Sequence, residues 1–394
     1  MVLNGLDRLI NEKSEQNKIE GNFGYLCHSA SVDRNLQLGV IGLQKVFGKR
    51  LVKIFGPQHG FVTDVQDNMV ESKHYIHPYF KIPILSLYSE TRIPTDEMLE
   101  GIDTMVVDLQ DVGTRVYTYI TTLGLLMKKC EEKKIKVVVL DRPNPVGGLQ
   151  VEGNVLQQGF NSFVGHHKIP QRHGLSMAEV GLLTKKYYTP NCRFDTVLMQ
   201  GWKREMYYQQ TQLPWINPSP NLPTMDGAIT FCGTVLFEGT NISEGRGTTR
   251  SLEIIGHPMI EPFAMAERFN KELAKTDLTG FVLRPLCFMP TFQKHKDTAC
   301  GGFQIHVTDP QRFKSWHLSQ MLCHLLAKEL GTNFEFHQRP YEYEHNRLAI
   351  DLINGTDKIR HWVFESGKMG DLLELEKMGM KEYLEQKNSV HLYS

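Results

Sequence analysis

The chain has 394 residues, 41% of them hydrophobic and 22% charged, which supplies a large apolar core and carries too little charge for a disordered chain. Forty-four Lys and Arg balance forty-four Asp and Glu, so the basic excess used by binders of a phosphate backbone is missing and nucleic acid is not an expected partner. At roughly 150 residues per domain, the length predicts two domains.

Seven Cys are scattered without a C-x-x-C pair, which argues against a disulfide framework and a zinc knuckle alike. The longest apolar runs, such as Val137–Leu140, fall far short of the ~18 residues of a membrane span. Residues 1–9 lack a basic region followed by an apolar stretch, so the sequence as it stands predicts a cytoplasmic protein, or a periplasmic or secreted one if a leader has been trimmed.

In chain order, short apolar runs rich in β-branched residues predict buried strands at Phe23–Cys27, Leu51–Phe55, Ile82–Leu87, Met105–Leu109 and Val137–Leu140. Helical spacing falls between them at Leu36–Val46, Thr95–Glu100 and Tyr119–Glu132. A further helix is expected at Ser176–Tyr188, where Ser176 and Glu179 form a capping box. Alternating strand and helix predict an α/β, Rossmann-like parallel-sheet N-terminal domain. The segment Leu213–Pro223 carries four prolines in eleven residues and predicts an extended path. Beyond it come apolar runs at Ala228–Phe237, Phe281–Phe288 and Gly302–Val307 and a helix at Leu318–Leu330, which predict a smaller α+β C-terminal domain. The expected division is 1–230 and 231–394.

In open parallel sheets the ligand crevice lies beyond the carboxyl ends of the strands. Four predicted strands end in polar clusters: His28–Arg34 with Ser29, Gly56–Gly60 with Gln58 and His59, Asp108–Tyr117 with Asp111 and Arg115, and Asp141–Gly148 with Asn144. Each cluster alone reads first as a turn, and Asp108 and Arg115 alone as a cap and a structural ion pair. Four together predict a site, because clustered ionisable groups are costly to bury without partners. Phe237–Arg250 adds Glu238, Asn241, Glu244, Arg246 and Arg250. Neither a P-loop nor a dinucleotide fingerprint is present, and no G-x-S-x-G elbow or H-E-x-x-H pair occurs. His59, His166, His167 and His173 are the residues a metal would have to recruit; no metal and no cofactor is expected.

Five segments in order, Phe55–Gly60 (F-G-P-Q-H-G), Val107–Tyr119, Asp141–Gly148 (D-R-P-N-P-V-G-G), Pro218–Asn221 (P-S-P-N) and Phe237–Arg250, resemble the signatures of the exo-acting β-N-acetylmuramidases, glycoside hydrolases formerly catalogued as a domain of unknown function. The resemblance runs from about Gly5 to the C-terminus. It implies a Rossmann-like domain, a smaller C-terminal domain, a cleft between them, and release of N-acetylmuramic acid from the non-reducing end of peptidoglycan fragments, so that a peptidoglycan-derived saccharide is the expected partner. One departure stands out: Gln58 occupies the place where the family commonly has Glu.

Glycoside cleavage ordinarily uses an acid on the leaving oxygen and a second group at the anomeric carbon. The expected catalytic set is therefore Asp108, Asp111, Glu244 and His59, with Arg115 holding one of the two Asp ionised. The substrate-binding set is Gln58, Ser29, Arg115, Tyr117, Asn144, Asn221, Glu238, Asn241 and Arg246, with Tyr119 beside them. An Arg such as Arg115, Arg246 or Arg250 suits the lactyl carboxylate of a muramic acid, because a planar guanidinium matches a carboxylate bidentately. The competing expectation is a non-catalytic binder of cell-wall sugars that kept the cleft and lost the acid at position 58. A small-molecule transferase is suggested only by analogy of fold.

Overall fold

The computed structural model describes residues 1–64, 66 and 70–394. In the first half the strands are β1 (Phe23–Cys27), β2 (Leu51–Gly56), β3 (Tyr75–Ile76), β4 (Pro83–Ser86), β5 (Thr104–Asp108), β6 (Lys136–Leu140) and β7 (Phe194–Val197). They form one sheet in the order β3-β4-β2-β1-β5-β6-β7, parallel throughout except for the β3–β4 pair. With the hairpin strand β3 set aside, this is the doubly wound order, and the direction of winding reverses between β1 and β5.

Both faces of the sheet are buried, and period-two alternation decides which residue faces which layer. Tyr25, Ile54, Val106 and Val138 join Val40 and Leu43 of the helix Gly39–Phe47 in one cluster. Their neighbours Leu26, Phe55, Val107 and Val139 pack on the other side with Leu123, Leu126 and Met127 of the helix Tyr119–Lys133. The Met177–Tyr187 helix starts as its capping box predicts, with Ser176 and Glu179 exchanging hydrogen bonds. The proline-rich segment Leu213–Pro223 contains neither helix nor strand.

The second half holds an antiparallel sheet of β8 (Ile254–His257), β9 (Phe281–Phe288) and β10 (Cys300–Val307), in the order β8-β10-β9. The apolar run Ala228–Phe237 belongs to no strand: it lies in the helix Met225–Thr234 and a following 3-10 turn, Val235–Gly239. Small residues explain the choice, since a Cβ at Gly233 would sit 2.0 Å from the carbonyl oxygen of Ser315. The helix therefore lies against the start of the helix Ser315–Leu330.

The architecture is α/β, with a Rossmann-like parallel sheet and a smaller α+β second part. One apolar cluster runs from β5 and β6 to the helices of the second half without a break. The last residues return to the first sheet, where Tyr393 donates its hydroxyl to Asp141 Oδ2 at 2.5 Å and Leu392 N bonds Glu179 Oε1 at 2.9 Å. No helix among the described residues is long and apolar enough to cross a membrane.

Candidate active site

β2 ends at Gly56, and the chain turns at once: Gly60 N bonds the carbonyl of Pro57 at 2.9 Å, with His59 (φ 67°) and Gly60 (φ 74°) both left-handed. A left-handed histidine is uncommon, and here it places Gln58 and His59 together in the wall of a cleft with about 450 Å³ of empty space. His59 Nε2 lies 3.3 Å from Ser219 Oγ, so the loop of the proline-rich segment forms the facing wall. The hydroxyls of Tyr117 and Tyr119 tie that loop down by donating to the carbonyl of Pro218 at 2.8 and 3.0 Å. Asn221 lines the cleft beside them.

The second half contributes the charges. Glu238, at the end of the 3-10 turn, pairs with Arg246 Nη2 and accepts from Tyr341 Oη at 2.7 Å. Arg246 Nε donates to Glu244 at 3.0 Å, and Lys294 Nζ holds the other Glu244 oxygen at 2.6 Å. Burial pushes the Glu244 carboxyl up, but Lys294 and Arg246 outweigh it and hold it below its usual range. Arg246 lines the cleft, and its buried Nη1 makes no hydrogen bond among the described residues.

Glu342 completes the lining. It sits in a tight turn in which Tyr341 and Glu344 bond each other's backbone at 3.1 and 3.0 Å, while Glu342 (φ 46°) and Tyr343 (φ 68°) are both left-handed. Such a turn ordinarily calls for Gly or Asn, so two bulky residues there store strain of the kind found at functional sites. Gln58 Nε2 donates to Glu342 Oε1 at 3.1 Å, Tyr88 Oη donates to Oε2 at 2.8 Å, and Thr118 Oγ1 donates to Gln58 Oε1 at 2.5 Å. Burial dominates and lifts the Glu342 carboxyl to about 7, although Tyr88 and Gln58 pull it down.

Of the residues expected from sequence, Gln58, His59, Tyr117, Asn221, Glu238 and Arg246 meet at this cleft, with Glu244 directly behind Arg246. The others lie elsewhere. Asp108 is fully buried and pairs with Arg142 and the hydroxyl of Tyr25, not with Arg115. Asp111 accepts from Gly113 N at 2.7 Å and lies 3.5 Å from His173 Nε2. Arg115 pairs with neither Asp; its guanidinium bonds the carbonyls of Asn154, Ile169 and Ile353, so it braces the two halves against each other.

Asn144 braces its own turn through Val146 N and Leu175 O. Ser29 lines a neighbouring depression with Trp215, and Asn241 bonds the backbone of Asn333 and Glu335. Arg250 pairs with Glu253 and is half exposed. No group of three or more His, Cys, Asp or Glu among the described residues is arranged to hold a metal.

Sequence reading missed Glu342, Tyr341, Tyr88 and Thr118. Glu342 lies 284 positions from Gln58 and follows no strand, so a search of strand ends passes over it. The one available signal was the doubled Tyr-Glu of Tyr341–Glu344 after Pro340.

Comparisons with known proteins agree with this architecture. The family model described as exo-beta-N-acetylmuramidase NamZ, N-terminal, matches residues 23–226, and its C-terminal counterpart matches residues 229–393. The chain is 40% identical over 335 residues to the peptidoglycan beta-N-acetylmuramidase NamZ of Bacillus subtilis (strain 168), covering 85% of this chain and 80% of that one. Two solved structures of DUF1343 family proteins from Bacteroides fragilis NCTC 9343 superpose with TM-scores of 0.88 and 0.75, at 29% and 25% identity, each covering 100% of this chain and 99% of the other. With both family models matched in sequence and together spanning nearly its whole length, the chain belongs to the NamZ exo-β-N-acetylmuramidase family.

Proposed function

We propose that the protein is a glycoside hydrolase that releases N-acetylmuramic acid from the non-reducing end of peptidoglycan fragments, and that it works in the cleft around Gln58, His59, Glu238 and Arg246. The observation that carries this reading, beside membership of the family, is the guanidinium of Arg246. Its Nη2 and Nε are taken by Glu238 and Glu244, its buried Nη1 makes no hydrogen bond among the described residues, and the residue lines the cleft. A muramic acid differs from glucosamine by a lactyl ether ending in a carboxylate. A buried guanidinium with an unused donor is suited to that carboxylate, because charge-assisted hydrogen bonds are the strong ones.

Asn221, Tyr117 and His59 supply polar and aromatic surface for the ring. Asp108, Asp111, Arg115 and Asn144 form the frame beneath and contribute by rigidity. The boundary between the two parts falls near residue 230, so the cleft is built from both.

Arg246→Lys keeps the positive charge between Glu238 and Glu244 and removes the planar fork. It should weaken binding of a chromogenic β-N-acetylmuramide by about 1.5–3 kcal/mol, roughly ten- to hundredfold in KM, since that is the worth of hydrogen bonds to charged groups. The amide at Gln58 favours a second reading, a non-catalytic binder of the same sugar. That reading predicts saturable binding of the muramide with no release of chromophore.

A further inference from the structure

The carboxyl of Glu342 is buried and lines the cleft. Position 58 carries an amide, which has no carboxylic proton to give. Its Nε2 lies 3.1 Å from Glu342 Oε1, so a buried carboxyl stands one hydrogen bond away, on a different part of the chain. We propose that Glu342 is the proton donor of this site, with Gln58 and Tyr88 as the positioning residues that fix its two oxygens; the proposal rests on the glycosidase reading above.

Three observations support it. Thr118 Oγ1 donates to Gln58 Oε1, which turns the amide so that its NH2 group faces Glu342. Tyr88, itself buried, holds the second oxygen, so the carboxyl is clamped from both sides. The turn that presents Glu342 keeps two non-glycine residues left-handed in succession, at a cost of roughly 1–2 kcal/mol each. Strain of that size persists where the surrounding structure demands a particular side chain at a particular place.

Burial lifts the carboxyl to about 7, so a large share keeps its proton in neutral solution. Its neighbour Glu238 is tied to Arg246 and Tyr341, so the cleft holds two carboxyls in unlike surroundings, as acid and base assignments require.

In the step itself, the C1–O bond breaks and its electron pair leaves with the departing sugar oxygen, which takes the Glu342 proton. The 2-acetamido oxygen of the substrate bonds C1 in the interval. Water then adds its oxygen to C1 as that bond breaks, and returns one proton to Glu342. One water is consumed, and the enzyme ends as it began.

The test compares two aglycones. Glu342→Gln should lower kcat on an unactivated N-acetylmuramyl disaccharide by about 10²–10⁴-fold, the usual contribution of a general acid. On a dinitrophenyl β-N-acetylmuramide, whose leaving group departs without a proton, the loss should be far smaller. Equal losses on both substrates, or none on either, would overturn the proposal. If the wild-type chain cleaves neither substrate, the glycosidase reading itself fails, and that outcome is distinct.

Should Glu342→Gln unfold, Tyr88→Phe carries the same question. Removing a donor to the carboxylate should move the alkaline limb of the pH profile for kcat/KM to higher pH, and an unmoved limb would contradict the assignment.

Discussion

Single residues at the strand ends divide into those that face the cleft and those that hold the frame. Asp108 belongs to the frame: it is fully buried, with Arg142 on one side and the Tyr25 hydroxyl on the other. Asp108→Asn leaves the Arg142 charge buried and uncompensated, which should destabilise the fold by about 3–5 kcal/mol in urea unfolding while turnover per folded molecule is little changed. A loss of turnover with unchanged stability would place Asp108 at the chemistry instead. The cleft residues Gln58, His59, Glu238 and Arg246 were legible because each sits in a polar cluster directly after an apolar run. Glu342 was not, because it meets Gln58 only through long-range packing and sits on a tight turn whose backbone signature, two left-handed residues, leaves no mark in composition or periodicity. The same limit explains Arg115, whose partners are three carbonyls from distant segments and not a nearby carboxylate.

Elements were legible where burial is two-sided. Val137–Leu140 and Met105–Leu109 read as strands because parallel strands covered on both faces are continuous apolar runs, and they stand at Lys136–Leu140 and Thr104–Asp108. β7, with the half-buried sequence Phe194–Val197, lies at the sheet edge and lacks such a run. Ala228–Phe237 misleads in the opposite way: it is apolar because a helix is buried on all sides, and periodicity alone does not separate that from a buried strand. Its close approach to the helix Ser315–Leu330 makes Gly233 the sensitive position. Gly233→Ala should cost about 1–3 kcal/mol in thermal or urea unfolding, the usual price of overpacking, because its Cβ meets the Ser315 carbonyl oxygen at 2.0 Å. An unchanged stability would show that the two helices can separate freely.

Across the whole molecule, the two parts are joined by a buried charge cluster as well as by the continuous core. Glu152, from the first half, pairs with Arg172 and receives Trp316 N at 3.1 Å, while His317 Nε2 lies 2.9 Å from Glu376 and Nδ1 3.7 Å from Glu152. Burial alone would push His317 down, but Glu152 and Glu376 outweigh it and lift it from 6.5 to about 9. Burial likewise opposes the Glu152 charge, yet His317 and Arg172 bring it from 4.5 to about 2. Raised in the folded state, His317 contributes stability that is complete below pH 6.5 and lost as pH climbs through about 9. Glu152 contributes stability that is present above pH 4.5 and lost as pH falls through about 2. The melting temperature of the native chain should therefore exceed that of His317→Gln at about pH 6 and converge with it at about pH 10. A gap that stays constant across that range would mean that His317 is not charged in the fold.

The central claim, that this cleft removes a terminal N-acetylmuramic acid, is tested most directly by mass spectrometry of the products from two disaccharides. One has N-acetylmuramic acid at the non-reducing end and N-acetylglucosamine at the other; the second has the order reversed. The account predicts that the native chain splits the first and leaves the second intact, and that Arg246→Lys slows the first reaction. Binding without release, or cleavage of the reversed disaccharide, would contradict it.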